Sequence, residues 1–509
     1  MPAARSESRL LLTIAVMSAA FLQVLDTTIV NVALPHIAGE LSATPDQISW
    51  VLTSYLVATG VMLPLTGYFS ARWGQRRFLF MSIFGFVIAS GLCGVSTNLT
   101  ELICFRVLQG VFGAPLIPLS QSILVQAFSA EERGRAMAIW GMGIMLAPIM
   151  GPTLGGYLTD VLTWRWTFFI NLPMGVLSLL IALRTVPDTH KRSRTFDWLG
   201  FLLLFAAIGG LQFVIDRGNQ EDWFESSVII FATALSVAGF VAFIYRGLVR
   251  REGALFDLHI FRDRNFTTGC ALVTTYQMSL FGAILLTPLY LESLLGYPAD
   301  LAGFLMAPRG VAGLVSMLVV GRVITRVPPR TLILSGIALW ALGAFPMTYY
   351  SLQMNTWFLL WPMIIQGLGL GMVFVPGATI AYATLPREVS AEAAGLYNLI
   401  RTVGTSIGIS ITATIFARQA QVAWNEIGSQ IHPFNPAIEG YFEGLGMNLL
   451  DPGAPSVLAH EVLRQSLMIG MVDALAALAW SFVLMLPLAF LLRGGQPHHD
   501  NKPAIAVAE

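Results

Sequence analysis

The chain has 509 residues, 55% hydrophobic and 11% charged, with a formal net charge of zero at pH 7. A charged fraction so far below the roughly 25% of soluble domains excludes a soluble globular protein and defines an integral membrane protein. The neutral net charge says nothing of partners, and nucleic acid is not expected among them.

Apolar stretches able to cross a bilayer, which takes about 20 residues per helix, fall at 10–33, 48–69, 78–96, 101–127, 136–158, 165–184, 197–215, 227–245, 267–291, 301–324, 331–350, 357–381, 395–417 and 468–492. They are numbered here as spans 1 to 14 of an all-α membrane protein. With the N-terminus inside, 22 of the 29 Lys and Arg fall in inner loops and tails, a bias that supports this topology and puts both termini in the cytoplasm. Span 1 lacks a small-residue cleavage site before the polar turn expected at His36, so it reads as a retained span and not a removed signal peptide.

Within span 1, Asp26 lies inside the apolar run from Leu10 to Pro35, roughly two turns from the outer end. A carboxylate there must be paired, face a cavity or carry protons, because ionising it alone costs several kcal/mol. Its candidate partner is Arg106, roughly one and a half turns into span 4. Spans 1 and 4 run in opposite directions, so the two charges reach similar depth. Such a pair suits proton-coupled transport; the alternative is a static tie between two helices. Thr27, Thr28, Asn31 and Gln109 are expected to complete a polar patch around it.

Between spans 2 and 3, Gly67, Arg72, Gly74, Arg76 and Arg77 form a basic inner turn. Its arginines anchor the inner side or grip helix ends and leaflet phosphates. Gly321, Arg322 and Arg326 after span 10 echo it weakly. Span 5 carries Gly143, Ala147, Gly151 and Gly155 at four-residue spacing, so one face is small and a neighbouring helix can approach closely. Pro148 and Pro152 remove two backbone donors beside that stripe and are expected to bend the helix, with Gly156 loosening its end.

Two basic inner loops, 184–197 and 246–266, bracket spans 7 and 8, and that pair reads as an insertion. Six spans remain on each side of it, the layout of a transporter built from two repeats around a midplane site. In the second half, Arg309 follows Pro308 in span 10, Asn398 and Arg401 lie in span 13, and Asp473 is one or two turns inside span 14. Asp473 is a second proton-site candidate, with a snorkelling, water-exposed Asp as the alternative. Arg401 either holds an anionic substrate or bonds a neighbouring carbonyl. The outer segment from Arg418 to Gln465 is longer than a connection needs and is expected to be a loop with a short helix around Ser456 to Arg464.

Cys93, Cys104 and Cys270 read as packing residues, and the seven histidines as solvated loop or tail residues without metal spacing. There is no phosphate-binding loop, nucleophile elbow or paired-carboxylate arrangement, so the chain is not expected to be an enzyme and its energy is expected from an ion gradient, with no cofactor.

Four stretches together carry a resemblance. GIMLAPIMGPTLGG (143–156) resembles the antiporter motif of drug exporters in the major facilitator superfamily, and LDTTIVNVALP (25–35) the first-helix motif of its 14-helix drug:proton antiporters. FRVLQGVFGAP (105–115) resembles the fourth-helix motif built on a buried arginine, and GYFSARWGQRR (67–77) the loop motif between helices 2 and 3. Closer still, IDRGNQEDWF (215–224), FRDRNFTTGC (261–270) and GLGM (444–447) resemble the EmrB-type multidrug exporters of Gram-negative bacteria.

The resemblance covers nearly the whole chain and implies the major facilitator fold. That is two six-helix bundles, 1–196 and 247–509, plus the inserted pair 197–246, with a periplasmic segment 418–465. It implies that Asp26 and Arg106 serve proton coupling, that Thr27, Asn31, Gln109, Arg309, Asn398 and Arg401 line the substrate pathway, and that a periplasmic adaptor and an outer-membrane channel complete a tripartite pump. Ala71 departs from the motif, since the wider superfamily carries an acidic residue there, and the charge-relay latch of that carboxylate cannot form in the same way. The expected function is proton-driven export of small amphipathic or hydrophobic compounds across the bacterial inner membrane. The rivals are a proton-coupled nutrient importer, distinguished by uptake down the proton gradient, and a receptor or lipid-handling protein that binds without gradient-dependent flux.

Overall fold

The computed structural model describes residues 6–187, 196–218, 221–249, 258–386, 389–432, 435–445, 451 and 453–492. Among them there is no β-strand. The first half comprises α1 (Ser6–Glu40), α2 (Pro45–Met62), α3 (Thr66–Trp73), α4 (Gln75–Val95), α5 (Leu99–Gly113), α6 (Leu116–Ala127), α7 (Ala130–Val161), the single turn α8 (Trp166–Phe169) and α9 (Asn171–Thr185). Then come α10 (Trp198–Arg217) and α11 (Ser227–Val249), the expected inserted pair. The second half holds α12 (Arg264–Pro288), α13 (Ala299–Val323), α14 (Pro329–Met347), α15 (Thr356–Ala381), α16 (Ser390–Ser429), α17 (Pro436–Leu445) and α18 (Ala454–Leu491).

Among the described residues thirteen helices are long and apolar enough to cross a membrane, and the α2–α3 pair, bent by 58°, makes a fourteenth when taken as one span. The break falls at Leu63–Pro64–Leu65, where proline removes a backbone donor. Local chemistry sets other boundaries: Thr44 and Gln47 form a capping box on α2, and Asn98 caps α5. At Gly74 the chain reverses between α3 and α4 with φ +84°, a backbone region that only glycine enters readily.

Three expectations about length are corrected. α1 does not turn at His36 but continues through Pro35 to Glu40, so Asp26 lies about four turns from its end rather than two. Glu40 accepts from Trp164 Nε1 at 2.7 Å and pairs with Arg165, which holds these last turns in place. The outer segment is not mainly a loop, because α16 extends to Ser429 and α17 follows. The short helix expected at 456–464 is the beginning of α18. Ile438, Phe442 and Ala454 close a small apolar core there, so the helical extension is packed. Of the histidines read as loop residues, His36 and His460 lie in α-helices and His259 in a short 3-10 helix. α7 remains continuous through Pro148 and Pro152, although the Pro152 side chain lies outside the described residues.

The inserted pair packs on itself and bridges the halves. Gly239 lies against the backbone of Leu203 and Ala207, Ser236 donates to the Ala207 carbonyl at 2.7 Å, and Arg246 pairs with Asp197 at 2.6 Å. α10 leans on α2 through Gly60 against Ile208 and Trp50 against Phe213, and reaches α16 through Gln212 Nε2 to Ser406 Oγ at 2.9 Å. α11 exposes Ile230, Phe231, Val237, Val241 and Tyr245, the surface expected of a helix facing lipid tails.

Candidate functional site

Asp26 and Arg106 are both fully buried and in contact, Arg106 Nη1 donating to Asp26 Oδ2 at 2.7 Å. The pairing follows from topology: α1 and α5 are antiparallel, so Asp26, about four turns from the outer end of α1, meets Arg106, about two turns into α5. Gln109, one turn beyond Arg106, bridges the pair. Its Nε2 donates to Asp26 Oδ1 at 2.8 Å while its Oε1 accepts from Arg106 Nη1 at 2.7 Å. Arg106 Nε donates to the Val51 carbonyl at 3.1 Å, and the guanidinium lies 4.1 Å from the centroid of the Tyr55 ring.

One member of this cluster was not anticipated. Asn171 Nδ2 donates to Asp26 Oδ1 at 2.8 Å and to Ser90 Oγ at 3.0 Å, and Ser90 Oγ donates to the Phe168 carbonyl at 2.9 Å. The available signal was a pair of polar residues, Ser90 and Asn171, inside apolar spans 3 and 6. Conversely, Thr27, Thr28 and Asn31 do not join Asp26. Thr27 bonds back to the Gln23 carbonyl, and exposed Asn31 is turned about 140° around α1 from Asp26. Thr28 faces α7, donating to the Ala147 carbonyl at 3.3 Å.

The small-residue stripe is the seat of α1 on α7. A Cβ at Gly143 would come within 2.2 Å of Met17, at Gly151 within 2.1 Å of Thr28 Oγ1, and at Gly155 within 3.1 Å of the Ile29 carbonyl. Ala147 is fully buried with Leu25 and Ile29. Gly156 stands apart, with nothing within 4 Å of its Cβ position.

The two halves meet in a polar seam at the end carrying the N-terminus of α1. Gln121 of α6 accepts from Asn398 Nδ2 of α16 at 2.5 Å and from Tyr382 Oη at 3.2 Å. Ser122 and Gln126 bond Ser390 at 3.0 and 2.7 Å, and Gln75 backs Ser122 at 2.8 Å. Two of the glycines that hinted at a repeat both sit here. Gly67 lies against Glu392, its Cβ position 2.6 Å from that residue's Cα, and Gly321 lies against Ala138, 2.8 Å away. Of the arginines in the turn, Arg76 donates to the Leu183 carbonyl at the end of α9, Arg72 reaches Tyr68 Oη at 2.9 Å, and Arg77 is exposed.

The remaining second-half candidates lie apart. Buried Arg309 donates to Thr287 Oγ1 at 3.2 Å, and its Nε has no partner. Arg401 is half-buried on α16, one turn from Asn398. Asp473 is half-buried and lines a depression of about 400 Å³ with Tyr350, Gln353, Gln465 and Met468, next to the α14–α15 turn and away from the Asp26 cluster. Cys93 and Cys270 are buried and Cys104 is exposed; no metal-binding group occurs among the described residues.

Two helical bundles, joined at one end and enclosing a buried charge pair in one of them, define a multi-pass membrane transporter. The model of the Major Facilitator Superfamily matches residues 16–409. The multidrug export protein EmrB of Escherichia coli K12 is 37% identical over 489 residues, 95% of each chain. The fatty acid resistance protein FarB of Neisseria gonorrhoeae is 33% identical, again over 95% of each. The chain belongs to the Major Facilitator Superfamily and, within it, to the family of EmrB multidrug export proteins. Among solved structures, the human organic anion transporter MFSD10 superposes with a TM-score of 0.63 at 13% identity, covering 95% of this chain and 100% of that one. The proton:xylose symporter XylE gives 0.61 at 13% identity, covering 96% of each. These two likenesses show the fold.

Proposed function

We propose that this protein exports small amphipathic or hydrophobic compounds from the cytoplasm in exchange for protons, by alternating access between the two halves. The observation that carries this reading is the fully buried Asp26–Arg106 pair inside the first helical bundle. A carboxylate held between burial and a guanidinium can exchange its proton as access alternates. The energy source is then the proton gradient, with no cofactor. The relatives named for multidrug export and fatty acid resistance support the direction and the apolar character of the cargo.

The excess of Lys and Arg on one side supports a cytoplasmic position for the polar seam and both termini, in a bacterial inner membrane. The halves are then closed on the inside, and in the outward-facing step a proton would arrive from outside and cargo leave there. Asn398 helps form the closed seam, and Arg401, one turn outward, would meet cargo at the base of a pathway between the halves.

In reconstituted liposomes under a pH gradient, adding amphipathic drugs is expected to drive proton movement through the wild type and not through Asp26→Asn. Equal responses from the two would remove Asp26 from the coupling mechanism.

For partners, the helical extension formed by the ends of α16 and α18 with α17 supports a tripartite pump, as the surface facing a periplasmic adaptor joined to an outer-membrane channel. Photocrosslinks from Tyr441 to a coexpressed adaptor are expected, and their absence at several neighbouring positions would count against that role. Phe434, a natural second position, lies outside the described residues, as does Met447 at the end of the GLGM motif.

A further inference from the structure

Asp26 is surrounded by donors. Oδ2 accepts from Arg106 Nη1, and Oδ1 accepts from Gln109 Nε2 and Asn171 Nδ2. This shell suits the ionised carboxylate, which only accepts. A protonated Asp26 must donate one hydrogen bond, and as arranged none of these three groups offers it an acceptor. Arg106 has no acceptor at all, and Gln109 Oε1 is already engaged by Arg106 Nη1 and faces Cys93 Sγ at 3.6 Å. Asn171 is different: the residue is fully buried, and its Oδ1 has no hydrogen-bond partner.

We infer that Asn171 reads the protonation state of Asp26 by turning its side-chain amide over, and passes that state to the α8 turn. When a proton arrives on Asp26 Oδ1, a half-turn of the Asn171 amide presents its Oδ1 as the missing acceptor without backbone movement. The same rotation withdraws Nδ2 from Ser90 Oγ. The Ser90 hydroxyl hydrogen, now given to the Phe168 carbonyl, swings to Asn171 Oδ1 instead. That carbonyl keeps its local bond from the Ile170 N–H, and Nδ2 takes the place where Oδ1 had no partner, so one unpartnered atom of Asn171 is exchanged for the other.

The consequence is mechanical. Phe168 belongs to α8, which joins α7, carrier of the small-residue stripe, to α9. Trp164 and Arg165, just before α8, hold Glu40 at the end of α1. Proton arrival at Asp26 thereby loosens one tie between α4 and the α7–α9 connection, the part of this half that must move when access alternates. The titratable groups facing Asp26 and Asn171 are Arg106 from α5, Tyr55 from α2 and Cys93 from α4. α7 carries its titratable side chains toward its ends, at Glu132, Arg133, Arg135, Tyr157 and Asp160, and α9 carries Arg184 in its last turn. Asn171 is therefore a positioning residue for proton exchange, and this role rests on the antiport reading above.

The test is infrared difference spectroscopy of the purified full-length protein across a pH titration, with the Asp26 carboxylic acid band assigned by its absence in Asp26→Asn. As the Asp26 carboxylic acid band appears, the side-chain amide C=O band of Asn171, assigned by its absence in Asn171→Leu, is expected to move to lower frequency, because Oδ1 passes from having no partner to accepting hydrogen bonds from Asp26 and Ser90.

A fixed Asn171 that only donates to the carboxylate would leave its amide band unmoved as Asp26 takes up its proton, and that result overturns the inference. So would an Asp26 band that appears at no pH the folded wild type tolerates. The amide band does not require any drug to move. A moving amide band without drug-driven flux in the wild type therefore refutes antiport and leaves Asn171 as the reader, whereas flux with an unmoved amide band refutes Asn171 alone.

Discussion

Arg106→Leu is expected to be among the most damaging substitutions in the protein. It leaves the Asp26 carboxylate fully buried with two amide donors and no countercharge. Breaking a buried pair from one side costs about 3–5 kcal/mol. The same change empties the space over the Tyr55 ring and frees the Val51 carbonyl. Thermal unfolding in detergent should show the loss directly. Asp26→Leu combined with Arg106→Leu is expected to recover most of that stability, because an apolar pair replaces the whole ionic one. Transport, however, should not return. Stability regained without flux would separate the pair's structural cost from its function; flux regained with it would show the pair to be only a tie between α1 and α5.

Gly67→Val should act on the other end of the molecule without touching the charge pair. The new Cβ would meet Glu392 Cα at 2.6 Å, in a region where Gly395 also lies against the Leu63 carbonyl at 2.8 Å. Both contacts are with backbone, which cannot turn aside as a side-chain tip can. Overpacking of this kind costs about 1–3 kcal/mol. Since the clash exists only when α3 and α16 are together, that cost bears on the closed seam and not on either bundle. A shift of roughly ten- to a hundredfold toward the separated arrangement follows. Spin labels at exposed positions 135 and 326, at the adjoining ends of α7 and α13, should report longer distances in Gly67→Val, and drug efflux should fall with them. Unchanged distances would mean that the seam tolerates the extra volume.

The seam also bears on the loop motif. With Ala71 in place of the usual acidic residue, the carboxylate found in this region is Glu392, buried on α16 of the opposite half and packed against Gly67. The sequence shows the missing charge. It gives no hint that a carboxylate from a position more than 300 residues away occupies the neighbourhood, because that depends on how the halves close.

Several features were legible from the chain alone, for physical reasons. Span count follows from bilayer thickness and apolar run length, and the fourteen crossings fall where the runs do. The Asp26–Arg106 pair could be anticipated because two charges in apolar helices of opposite direction and matched depth have few other ways to avoid isolation. The stripe from Gly143 to Gly155 announced a close helix contact by spacing alone, since four-residue repeats share a face.

The tertiary structure decided the rest. Helical phase, which sequence does not orient, turned Asn31 away from Asp26 and Thr28 toward α7. Side-chain reach across three helices brought Asn171 and Ser90 to the carboxylate, although nothing in spans 3 and 6 marks them as parts of one chain of hydrogen bonds. Contacts beyond the apolar runs, such as Glu40 with Trp164 and the core around Phe442, carried α1 and the outer helices past the boundaries that hydropathy sets. Apolar length and charge depth are properties of single segments, so the sequence holds them. Which faces meet, and which buried amide completes a carboxylate's shell, depends on helices placed relative to one another, and only the folded bundle fixes that.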